Sequence, residues 1–112
     1  MSVIVLTDNL YISSHISDPK KAISNIIGDN FSGNEFLICI NSNSLNLMDI
    51  YYTKELKKPY VNVDNLIVLA ICHNKTDAKE ICVLIIDKFM QKYNNISDFK
   101  SKVGLIRWGK ND

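Results

Sequence analysis

The chemistry this chain could do rests on few side chains. The most suggestive run is His73-Asn74-Lys75-Thr76-Asp77, which follows an apolar segment and precedes a helical one. Ligands often settle where a strand hands over to a helix, because the free amides at a helix start attract polar groups. His73, Asn74, Lys75 and Thr76 are therefore the candidate ligand-binding residues, and a small-ligand-sensing domain with a pocket near the 73–77 loop is one functional reading. The loop has no glycine, so its backbone cannot wrap a phosphate as nucleotide-binding loops do. An ordinary connection between a strand and a helix accounts for the same residues. Cys72 stands beside His73, but neighbours on a strand point to opposite faces, so no thiolate–imidazole pair is expected.

His15 lies in a Ser-Ser-His run with no evident partner. Two histidines and scattered carboxylates do not offer the three or four convergent ligands a metal needs. Asp8, Asp18, Asp49, Glu55 and Asp64 each have a turn or cap explanation. GxSxG, HExxH and Walker patterns are absent from the sequence. No catalytic residue, metal or cofactor is assigned, and a non-enzymatic protein is the expectation. Cys39, Cys72 and Cys82 sit in apolar runs without CxxC spacing and read as reduced core thiols.

Lys54, Lys57 and Lys58 lie among Tyr51, Tyr52 and Tyr60, and Lys100, Lys102, Arg107 and Lys110 lie near Phe99 and Trp108. Cations interleaved with aromatic rings can hold single-stranded nucleic acid through charge and stacking. Lys54, Lys57, Lys58, Arg107 and Trp108 are the candidates for that alternative. The net charge of +1 gives no broad basic field, so nucleic acid is not the favoured partner. Lysine on a sheet edge has a simpler use, which is to block unwanted strand pairing.

Elements must position these residues. With 112 residues, 46% of them apolar and 22% charged, the chain reads as a single globular domain spanning 1–112. Its apolar runs fall well short of the roughly 18–20 residues of a membrane span, and the start has no basic segment like that of a signal peptide. A cytoplasmic protein with no membrane partner is expected. Twelve lysines against one arginine, with many Ile and Asn, suggest AT-rich codons and a low-GC, bacterial genome.

Val3 to Thr7 reads as a strand, with Leu10 to Ile12 continuing it. Asp18-Pro19 starts a helix that Gly28 ends, so the helix runs from Pro19 to Ile27. Glu35 to Asn41 and the alternating Met48 to Thr53 read as a hairpin across an Asn/Ser-rich loop. Thr53 to Lys58 is expected to add a helical turn that Pro59 ends, and Tyr60 to Asp64 an extended approach. Leu66 to Cys72 is the plainest strand. A second helix covers Ala78 to Tyr93, with Thr76 or Asp77 as its cap. Ser97 to Lys100 reads as a capped turn, and Val103 to Trp108 as a last strand. This order predicts an α+β two-layer sandwich: a mainly antiparallel sheet of about five strands with two helices on one face, in a split βαβ-like arrangement.

That arrangement has a consequence. Along Leu66 to Cys72 and Glu35 to Asn41 both faces are apolar. With both helices on one face, the other needs a cover: the segment 42–64, another protein, or a second copy. A homodimer with a regulatory or accessory role, acting through protein contact, is the leading expectation. Leu37, Ile67, Leu69 and Ile71 would form its surface, with Leu84, flanked by Val83 and Met90, as a further patch on the second helix.

Overall fold

The computed structural model describes residues 4–28, 31, 33–58 and 66–105. Strand β1 (Ile4–Ile12) leads to α1 (Pro19–Ile27), followed by β2 (Phe36–Ile40), β3 (Asp49–Tyr52), a 3-10 turn (Thr53–Lys57), β4 (Leu66–Cys72), α2 (Lys75–Tyr93) and α3 (Phe99–Lys102). The four strands form one mixed sheet in the order β1-β4-β2-β3. β4 pairs parallel with β1 and antiparallel with β2, and β2 pairs antiparallel with β3.

The local signals explain the elements. Asp18 accepts a hydrogen bond from the Lys21 amide, and Pro19 occupies the first turn of α1. The cap of α2 is Asn74, not Thr76 or Asp77; its side chain accepts from the Asp77 amide at 2.8 Å. Asn74 can do this because its own backbone is extended, the geometry an N-cap requires. At the other end Asn94 adopts φ 56°, the left-handed conformation that asparagine tolerates better than most residues.

The α+β class holds, but the layering differs from the sequence expectation. Residues alternating along β2 divide between two cores. Leu37 and Cys39 join Ala22 and Ile26 of α1, together with Phe31 and Leu56. Ile38 and Ile40 join Ala78, Ile81, Ile85 and Phe89 of α2, with Phe99 and Val103 behind them. Each face of the sheet therefore carries its own helical cover. One helix per face suffices because the sheet has four strands instead of five, and short segments fill the remaining width. The expected fifth strand is not formed where it is described: Val103–Leu105 is a 3-10 turn, and the rest of that segment lies outside the described residues, as does the Tyr60 to Asp64 approach.

The alternation of β4 is broken as well. Against β2, Ile38 faces Ala70 and Cys39 faces Val68. Against β1, Leu6 faces Val68 and Tyr11 faces Ala70. Leu69 thus has no opposite number on either side and forms a bulge, which puts Leu69 and Ala70 in the same core. Ile67 and Leu69 face α2, whereas Ile71 and Leu37 face α1. The predicted association surface is thereby split between two faces. Leu37, Leu69 and Ile71 are at most 1% exposed, so neither face is left open for a second copy.

Candidate functional site

The chain leaves β1 toward α1 on one face and leaves β4 toward α2 on the other. These two strands are adjacent and parallel, so their carboxyl ends lie side by side while the following segments part. A crevice opens between such diverging connections, where α/β sheets commonly bind ligands. A cleft of about 470 Å³ lies there. Its wall runs from His15 through Asp18 and Lys21 to Asn25, crosses to Gly33, Asn34 and Glu35 ahead of β2, and meets His73 after β4.

His15 and His73, far apart in sequence, come together with ring centroids 5.7 Å apart and planes tilted by 44°. A small network fixes the backbone beneath them. The Ser13 amide donates to the Ile71 carbonyl at 2.9 Å, tying the end of β1 to β4. The His15 amide donates to Ser13 Oγ at 3.3 Å. Ser13 also hydrogen-bonds the Asp77 carboxylate, which accepts from the His73 amide at 3.0 Å. Burial raises the Asp77 pKa, but the Ser13 and His73 hydrogen bonds and the two nearby imidazoles outweigh it, leaving the carboxyl below its usual 3.8. Ser13 is 3% exposed, so its hydroxyl is a structural tie and is closed to an incoming substrate.

Glu35 is half-buried in the wall. Its backbone carbonyl is held by the Thr53 amide and hydroxyl, at 2.9 and 2.6 Å. Its Oε1 is shielded from solvent and has no hydrogen-bond partner among the described residues. A Cβ at Gly33 would collide with the Glu35 carboxyl, so only glycine leaves that carboxyl its place.

Of the sequence-predicted ligand residues, His73 lines the cleft. Asn74, Lys75 and Thr76 are exposed and lie outside its wall; Asn74 serves as a cap. Sequence reasoning missed the α1 side. In the sequence Asp18 reads only as a cap and Glu35 only as a strand start, and His15 has no partner until the fold supplies His73. Among the described residues no group of three His, Cys, Asp or Glu side chains could hold a metal ion. The cysteines are free, and burial first of all pushes the Cys39 thiol well up and that of Cys72 up to about 12. Both are poor nucleophiles. No described helix is long and apolar enough to cross a membrane.

The nucleic-acid candidates are dispersed. Lys54 and Lys57 are exposed on the 3-10 turn after β3, and Lys58 is exposed just past it. Tyr52 is engaged nearby, its ring 4.9 Å from Phe36 and its hydroxyl donating to Asn34. Lys100 donates to the Asn41 and Ser44 carbonyls, closing the loop between β2 and β3, and Lys102 pairs with Asp98 at 3.5 Å. Arg107 and Trp108 lie outside the described residues. Leu84 is 36% exposed on the outer face of α2, near Val83 and Met90.

No family model, curated protein or solved structure matches this chain.

Proposed function

We propose that this domain binds a small polar molecule in the cleft at the carboxyl ends of β1 and β4. The observation that carries the reading is the divergence of two adjacent parallel strands onto opposite faces, with His15 and His73 meeting at the fork. The volume of the cleft falls within the roughly 300–1,000 Å³ of small-ligand sites, and its lining is mostly polar. Binding without catalysis is favoured: Ser13 is enclosed, the buried thiols are held protonated, and no described side chain is set as a nucleophile against a base. A metabolite screen followed by amide chemical shifts tests it. Ligands should move the amides of His15 to Ala22, Gly33 to Glu35 and His73. A broad screen at millimolar concentration that leaves all of them unmoved overturns the proposal.

A second reading, association of two copies, now draws its support from α2 instead of the sheet. Val83, Leu84 and Met90 are 59%, 36% and 37% exposed on its outer side. An apolar strip of this kind suits a two-fold helix pair. Light scattering decides: a dimer that Leu84→Lys converts to a monomer supports it, and a monomer at high micromolar concentration removes it.

A further inference from the structure

We infer that the cleft selects a small molecule bearing a protonated amine or guanidinium group, with Glu35 as its counter-ion. The inference rests on the ligand-binding reading above and specifies the chemistry of that site. Three observations carry it. First, the backbone amides of two cleft residues, Lys21 and His73, are already taken by carboxylates. Asp18 Oδ1 occupies the Lys21 amide in the first turn of α1, Asn74 Oδ1 the Asp77 amide in the first turn of α2, and Asp77 Oδ2 the His73 amide just ahead of that helix. Helix starts that bind anions present free amides; these are closed by the chain's own side chains, two of them carboxylates.

Second, the wall carries an unmatched acceptor. Glu35 Oε1 is out of solvent with no donor among the described residues, although buried acceptors are nearly always satisfied. The bond that turns a carboxyl group is soft, so this oxygen can swing to meet a donor entering the cleft. Gly33 leaves the carboxyl the space in which it now sits.

Third, the charges of the lining favour a cation. The lining carries two carboxylates, Asp18 and Glu35, against one lysine, Lys21, and a third carboxylate, Asp77, accepts from the His73 amide. Lys21 is exposed on α1 and does not donate to Glu35 Oε1, which keeps that oxygen open to a donor from outside the chain.

Titration of the labelled protein with agmatine and putrescine, against citrate and inorganic phosphate, tests this. The diamine and the guanidinium compound should shift the His15, Glu35 and His73 amides in a saturable way. Glu35→Gln should weaken them at least tenfold while keeping the melting midpoint. Lys21→Gln, on the opposite wall, should leave them unchanged or tighter, and it remains informative if Glu35→Gln fails to fold. Cation binding indifferent to Glu35→Gln, or weakened by Lys21→Gln, overturns the inference. Citrate or phosphate binding that depends on Lys21, without cation binding, also overturns it but leaves the cleft reading standing. If no probe of either charge and no screened metabolite moves these amides, both fall together.

Discussion

Asp77 shows how much a single carboxylate organises. It accepts from the His73 amide, bonds Ser13, and so joins the first turn of α2 to the end of β1. Because its pKa is lowered in the folded chain, the ionised form is the one that stabilises. That contribution is complete above the ordinary value of 3.8 and is lost as pH falls through the lower folded value. Asp77→Ala should therefore cost about 1–2 kcal/mol at pH 7. In urea melts at successive pH values, the difference from the native protein should shrink on acidification below about pH 4. A difference independent of pH would mean that the charge contributes nothing. Asn94 offers a separate check. At φ 56°, Asn94→Ala should lose about 1 kcal/mol, whereas Asn94→Gly should be neutral or stabilising, as measured by thermal unfolding.

At the scale of elements, the bulge at Leu69 governs which side chains meet which helix. Leu69→Ala should cost roughly 2–5 kcal/mol for the cavity it leaves. Deleting Leu69 altogether should be tolerated about as well, because Val68 and Ala70 would then stand in a regular ladder against β2 with their present faces unchanged. Deleting Ile67 should cost more, since either Leu66 or the stretch from Val68 onward must change faces. Circular dichroism under urea distinguishes these outcomes; equal losses for both deletions would contradict the assignment. The same feature marks where the sequence ceased to be legible. α1, β4 and the β2–β3 hairpin could be read because caps, breaks and periodicity coincide there. The bulge could not, since within Leu-Ile-Val-Leu-Ala-Ile-Cys every residue is apolar and a slip leaves no trace in the pattern. The side taken by α1 is likewise not written in its own amphipathic face. That one unknown separated two helices on one face from a helix on each, and with it the expectation of a second copy covering the sheet. His73 was readable as a candidate from its position after a strand. That His15 and Glu35 line the same cleft was not, because their convergence depends on strand order.

Over the whole molecule, the strand order also sets a schedule. β2 and β3 are neighbours in sequence and can pair as soon as both exist. β1 has a different situation: its ladder is with β4 alone, and β4 stands between it and β2. On a ribosome, the first strand made must wait, unpaired, until Leu66 to Cys72 have left the exit tunnel. The Ser13 tie to Ile71 and the meeting of His15 with His73 wait with it. A chain released at Lys58 contains three of the four strands, yet it should give a collapsed nuclear magnetic resonance spectrum with poor dispersion. The chain through Leu105 should give a dispersed one. A folded spectrum from the shorter chain would refute the schedule. Until β4 slides in as the keystone, the nascent protein has an apolar β1 to shield, and any chaperone that attends this chain should be found on its first dozen residues.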